Sequence, residues 1–250
     1  MYLNAIERTG GDFSGQDSYL QDIPAIKGLS LLELRQPVTF LVGENGSGKS
    51  TLLEAVALAL GFNPEGGSRN FAFSTRDTHS GLYNYLRLHR GPYRPKDGFF
   101  PPGGELLAIP PRKWSGWQRA ATRPISCKAT AASRCTTSPT GRAFSAWCTT
   151  GSGDRASTCW TNRSGPLPAR QLTLLAELHR LVEAGSQLLI ATHSPILMAY
   201  PQGEILLLGE GPIHPVGYRE TEHYQITKSF LDNPERMLRI LFQQDKEDMR

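Results

Sequence analysis

Gly43-Glu44-Asn45-Gly46-Ser47-Gly48-Lys49-Ser50 follows the spacing G-x-x-x-x-G-K-[ST]. These residue types in this order suit the binding of a nucleoside triphosphate. Triphosphate oxygens need several donors converging on them with no side chains in the way. Gly43, Gly46 and Gly48 let the backbone N–H groups of residues 44–50 curl around phosphate, and a helix starting there adds partial positive charge. Lys49 reaches the β and γ phosphates, Ser50 offers its hydroxyl to Mg2+, and Thr51 donates to the α-phosphate. ATP and Mg2+ are therefore the expected ligand and cofactor. They are bound through Gly43, Glu44, Asn45, Gly46, Ser47, Gly48, Lys49, Ser50 and Thr51, with Ser50 on the metal. A second candidate is His193, which directly follows an apolar run. Alone, His193 would read as a solvent-exposed loop histidine; with the loop at residues 43–50 present, a histidine at a strand end can contact the γ-phosphate and hold the attacking water, so His193 and Lys49 are the expected catalytic residues.

Such a loop works only between a strand and a helix. Val38–Val42 is an apolar run of strand length ending in Gly43, and Thr51–Leu60 consists of helix formers stopped by Gly61. Leu31–Leu34 is a second strand-length run, separated from the first by Arg35-Gln36-Pro37, which suits a turn between two strands. Residues 62–100 are polar and turn-rich, and no element is placed there. Further on, Leu172, Leu174, Leu175, Leu178, Leu181 and Val182 recur at helical spacing within Arg170–Ala184, and Gly185 follows. Gln187–Thr192 reads as a buried strand, Glu204–Leu208 as another, and this helix-then-strand alternation predicts an α/β fold with a mostly parallel sheet flanked by helices. A helix through Gln225–Leu231 and another, capped by Asn233 with Pro234 in its first turn and running to Phe242, are expected at the C-terminus.

Leu41-Val42-Gly43-Glu44-Asn45-Gly46-Ser47-Gly48-Lys49-Ser50-Thr51-Leu52-Leu53 resembles the loop of the ABC-type P-loop ATPases and their Rad50, SMC and RecF relatives, within the AAA group. Leu189-Ile190-Ala191-Thr192-His193-Ser194-Pro195 resembles the switch-histidine segment of the same family. The resemblance implies an ABC-like head that hydrolyses ATP with Mg2+, and a homodimer that closes around two nucleotides. It allows a transporter or DNA-repair subunit as an alternative. Tyr19, which lies before the loop, is either an adenine-stacking residue of the kind seen in ABC proteins or ordinary packing. The family also requires an Asp-Glu pair at the end of an apolar strand ahead of the histidine. Here that window reads Ala156-Ser157-Thr158-Cys159-Trp160-Thr161-Asn162-Arg163-Ser164, without strand or acid. Read literally, this favours a nucleotide-binding module without turnover.

The genetic code offers another reading of that window. One nucleotide earlier, Trp160 followed by Thr161 must give aspartate, and Cys159 followed by Trp160 must give leucine. The flanking codons permit Leu-Tyr-Leu-Leu-Asp-Glu-Pro-Glu, the family's acidic strand. In the same frame, Ser138-Pro139-Thr140-Gly141-Arg142-Ala143-Phe144 permits Ser-His-Gly-Glu-Ser-Phe, which resembles the signature segment that reaches a partner's γ-phosphate. Composition breaks at the same place. Residues 101–168 hold nine Lys and Arg against Glu105 and Asp154, while the remainder carries eighteen basic and twenty-one acidic residues. The segment holds all four Trp and all four Cys, and its only Leu, Ile, Val or Met residues are Leu106, Leu107, Ile109, Ile125 and Leu167. The expected organisation is an ATPase core in residues 1–100 and 169–250, divided by a frameshifted, poorly folded or disordered segment at 101–168. The competing reading of that segment is a basic linker or nucleic-acid-binding insert.

In the whole chain of 250 residues, 39% are hydrophobic and 20% charged, which excludes collagen-like, fully disordered and coiled-coil classes. Absence of a long heptad region argues against Rad50- or SMC-type arms. Cys127, Cys135, Cys148 and Cys159 match no metal-ligand spacing and are too sparse for a disulfide scaffold. No apolar run approaches the ~20 residues of a membrane span, and Met1–Gly10 lacks a signal pattern, so a cytoplasmic location is expected. With a balance of −3 outside residues 101–168, the remaining sequence points to neither a DNA nor a membrane partner.

Overall fold

A computed structural model describes residues 1–11, 13, 15–62, 80–92, 106–109 and 168–247. Strand β3 (Val38–Val42) is the axis of the fold, because every one of its residues is buried. Its side chains alternate between two apolar layers, as the period-two pleat requires. Leu41 joins Leu189 of β6 (Gln187–Ala191) and Leu206 of β7 (Gly203–Leu207) against helix α2 (Lys49–Ala59), through Leu52, Leu53 and Val56. Val38, Phe40 and Val42 join Leu188, Ile190 and Ile205 against helix α3 (Pro168–Glu183), through Leu174, Leu178 and Leu181. Covering on both faces is what makes these strands continuous apolar runs. Each fully buried leucine in such a layer contributes about 1.5–3 kcal/mol.

The sheet order is β5-β6-β3-β7-β8, with β5 at Leu106–Ile109 and β8 at His214–Pro215. β3 runs parallel to both β6 and β7, whereas β5 and β8 pair antiparallel at the two edges. Among the described residues the expected parallel pairing is that of β6, β3 and β7. β5 lies within the low-aliphatic stretch 101–168 and uses the few aliphatic residues that stretch has. Leu106, Leu107 and Ile109 are three of the five aliphatic residues of that segment, and together with Ala108 all four strand residues are buried. The remainder of the expected poorly folded segment, its four cysteines, the shifted acidic window and the shifted signature window lie outside the described residues.

A second sheet, β2-β1-β4, is antiparallel and packs with α2: β1 is Leu3–Arg8, β2 Leu31–Glu33 and β4 Leu86–Arg90. Leu31–Leu34 and Val38–Val42 form strands on either side of the breaker cluster Arg35-Gln36-Pro37, and the two strands belong to different sheets. Glu204, at the start of β7, holds that cluster. Its carboxylate accepts from the N–H groups of Arg35 (2.8 Å) and Gln36 (3.3 Å) and from the Thr39 hydroxyl (2.8 Å), so the breaker cluster is anchored to β7. The two sheets are joined by Gln187. Its side chain is buried, its Oε1 accepts from Tyr2 N and Leu3 N at 2.9 Å each, and its Nε2 donates to the Leu3 carbonyl at 2.7 Å.

Two short helices complete the frame around the loop, α1 (Pro24–Lys27) and α4 (Pro195–Met198). At the C-terminal end are α5 (Glu222–Asp232) and α6 (Pro234–Glu247). Asn233 caps α6 as expected, its Oδ1 accepting from Arg236 N at 3.0 Å. Leu172, expected on the core face of α3, is 60% exposed instead. Among the described residues no helix is long and apolar enough to cross a membrane.

Candidate functional site

Parallel pairing brings the two predicted motifs to one edge of the sheet. β3 ends at Val42 and runs into the glycine loop. Its neighbour β6 ends at Ala191, in register with Leu41, and runs into Thr192 and His193. The exit of β6 is pinned to β3 by Thr192 N donating to the Leu41 carbonyl at 3.2 Å. Segments leaving the carboxyl ends of adjacent parallel strands border the crevice where α/β sheets take ligands.

Gly46 and Gly48 have φ of 85° and 93°, which L side chains rarely adopt, so the path of the loop depends on these two glycines. Between them Ser47 N donates to the Glu44 carbonyl at 3.2 Å, closing a turn. The loop is braced from outside by α1, where Ala25 N donates to the Ser47 carbonyl at 2.9 Å. Gly48 sits against this brace: a Cβ there would overlap Ile23 Cγ2 and stand 3.2 Å from Ala25 Cβ. Lys49 opens α2 and is buried, an uncommon place for a lysine. Its ammonium compensates with hydrogen bonds to the carbonyls of Gly43 (2.8 Å) and Glu44 (2.6 Å) and to Ser47 Oγ (3.4 Å). Desolvation holds its pKa below the usual lysine value. Ser50 and Thr51 continue the first turn of α2, Ser50 exposed and Thr51 half-buried, and Glu44, Asn45 and Gly46 form the exposed tip of the loop.

His193 is exposed and follows Thr192 in a tightly specified bend. Ser194 N donates to Thr192 Oγ1 at 3.1 Å, and Ser194 Oγ donates to Gln171 Oε1 on α3 at 2.6 Å. Ser194 also caps α4, accepting from Leu197 N at 3.4 Å. Partial desolvation of the ring, then the charge of Lys49 and then His223, pushes the His193 pKa below the usual histidine value. Lys49 and His193 therefore sense one another across the crevice. His193 Nδ1 stands 2.9 Å from Nε2 of His223, a residue that sequence reasoning missed. Thirty positions separate the two histidines, and the only local sign is that Thr221, two residues before His223, is a helix-capping residue type.

As an oxygen donor for Mg2+, Ser50 supplies a hydroxyl that fits the ion's chemistry. Among the described residues no three His, Cys, Asp or Glu side chains gather into a metal site, so a nucleotide's own oxygens would have to complete the coordination. Tyr19 lies in a 3-10 turn (Gly15–Asp22) and is 48% exposed.

No curated protein and no solved structure matches the chain. Residues 19–90 match a family model described as an AAA domain. That stretch contains the brace, β3, the whole glycine loop and α2, and the match supports a nucleotide-binding, ATPase-like module in this part of the chain.

Proposed function

We propose that this protein binds ATP with Mg2+ at Gly43–Thr51 and belongs to an ABC-like class of AAA ATPases whose intact members hydrolyse it. The observation that carries the reading is the meeting of the glycine loop and the Thr192–His193 exit at the ends of adjacent parallel strands. The loop's N–H groups and Lys49 would bind the phosphates, the ammonium exchanging backbone carbonyls for phosphate oxygens. Ser50 would hold Mg2+, which supplies neutralisation of the phosphate charge. His193 would orient water for in-line attack on the γ-phosphorus. The new P–O bond forms as the bond to the β–γ bridging oxygen breaks, releasing ADP and inorganic phosphate.

Water activation in such enzymes needs a carboxylate, and residues 156–164 contain none. This favours a second reading for the chain as it stands, binding without turnover. We attribute the missing acids to a shifted reading frame over residues 101–168. A homodimer closed around two nucleotides, a transporter or DNA-repair setting and a cytoplasmic location rest on the family resemblance and on default expectation.

Two experiments test the reading. Equilibrium binding of Mg-ATP should be at least about tenfold weaker in Lys49→Ala than in wild type, and equal binding by both proteins refutes the site. Accurate resequencing of codons 95–175 should reveal inserted or missing nucleotides and the acidic strand in the corrected frame. If the printed frame stands, the expected behaviour is nucleotide retention with no phosphate release.

A further inference from the structure

His223 occupies the first turn of α5, and its place there is set by Thr221. That threonine is buried, its Oγ1 accepts from Tyr224 N at 3.4 Å and donates to the Tyr218 carbonyl at 2.7 Å, and it thereby fixes where α5 starts. His193 is fixed just as firmly from the other side, through Ser194 and Gln171. The two rings meet with centroids 5.1 Å apart and planes 45° apart, and the Nδ1–Nε2 separation of 2.9 Å is that of a hydrogen bond.

Two neutral imidazoles at this distance share one proton in the contact, so one ring donates and the other accepts. The choice decides what His193 presents at its other nitrogen. If His193 donates from Nδ1, its Nε2 is a bare lone pair. If His223 donates, the proton of His193 resides on Nε2. A terminal phosphate at neutral pH offers acceptors only, so a useful contact requires N–H at that nitrogen. We propose that His223 is a positioning residue for His193: its Nε2–H donates to His193 Nδ1 and keeps the His193 proton on Nε2, where it can donate to the terminal phosphate of a bound nucleotide. This rests on the nucleotide reading of Gly43–Thr51. The charged and titratable groups acting on His193 are Lys49 from α2 and His223 from α5, and both oppose a second proton on the ring. A neutral His193 ring with a fixed tautomer is what that arrangement favours.

The test is 15N NMR of the histidine side chains in the full chain, with His193 assigned by loss of its signals in His193→Gln. Above neutral pH, wild type should show a pyridine-like Nδ1 and a pyrrole-like Nε2 at His193. His223→Gln keeps an N–H donor and should preserve that pattern. His223→Glu offers only acceptors and should convert Nδ1 to a pyrrole-like signal, with the urea midpoint of both variants reported alongside as a control on folding. Mg-ATP should move His193 Nε2 in wild type and in His223→Gln, and should move it less in His223→Glu. A His193 tautomer indifferent to residue 223, in a protein that binds Mg-ATP and shifts Nε2, overturns the inference alone. A tautomer that follows residue 223 while Mg-ATP neither binds nor moves any His193 signal overturns the nucleotide reading on which it rests.

Discussion

Gly46→Ala and Gly48→Ala should have unequal costs, although both place a methyl group on a residue with positive φ in the same loop. At either position the left-handed conformation costs an L residue about 1–2 kcal/mol. At Gly46 that is the whole cost, since nothing lies within 4 Å of an added Cβ. At Gly48 the methyl would also overlap Ile23 Cγ2 and crowd Ala25 Cβ, and Ala25 cannot retreat without giving up its 2.9 Å bond to the Ser47 carbonyl. Overpacking of this kind adds about 1–3 kcal/mol, for a total of about 2–5 kcal/mol. With an m-value near 2 kcal/mol per M, the urea midpoint should fall by about 1–2.5 M for Gly48→Ala and about 0.5–1 M for Gly46→Ala. The measurement is urea unfolding followed by far-ultraviolet circular dichroism. An Ile23→Ala background removes the overlapping methyl and should shrink the excess cost at Gly48, which a double-mutant cycle reads as coupling between the two positions. Equal midpoints for the two glycine variants, or an excess that persists without the Ile23 methyl, would refute the claim that α1 braces the loop.

Other perturbations have equally direct readouts. Lys49→Ala removes a charge-assisted contact worth about 1.5–3 kcal/mol, so Mg-ATP affinity measured by calorimetry should fall at least about tenfold while the circular dichroism spectrum is retained. Gln187→Leu strands two N–H groups and one carbonyl of β1 and should cost about 2–4 kcal/mol in urea unfolding, with hydrogen exchange of β1 amides rising before that of β3. Because the His193 pKa is depressed on folding, the unfolded chain binds the extra proton first. Stability linked to this residue is therefore complete above the unfolded value of 6.5 and is lost as pH falls toward the lower folded value. His193→Gln should accordingly show a smaller loss of urea midpoint than wild type between pH 7.5 and pH 5.5, and identical losses would contradict the depressed pKa.

What the sequence made legible was what is encoded locally. The strand, loop and helix over residues 38–60 are consecutive, each defined by its own residues, and they form as read with boundaries within a residue or two. The same holds for α3, β6, β7 and the capped start of α6, which continues past its expected end at Phe242 to Glu247. Pairing partners were not legible in the same way. The apolar run at Leu31 could not announce that it joins β1, because the groups that turn the chain away from a hairpin belong to Glu204, far along the sequence. β4 carries a weak local signal, with Leu86 and Leu88 half-buried and Arg87 and His89 exposed, but Arg and His on the open face masked it within a polar region. Lys49 and His193 stand out in the sequence by type and context, whereas the His193–His223 contact exists only through tertiary structure.

The two neighbours of β3 also bear on how this chain is made. Residues 43–186 separate β3 from β6, its first parallel partner, and β7 lies beyond that. At about 5–20 residues per second of synthesis, β3 waits roughly 7–30 s after leaving the ribosome for the two described strands that pair with its largely apolar edges. An apolar strand with open edges is a template for pairing with other chains, so this interval is the point at which nascent copies are most prone to aggregate. A ribosome that loses frame after residue 100 and does not regain it would never supply β6 or β7, and its product would retain the phosphate loop on a strand left permanently open.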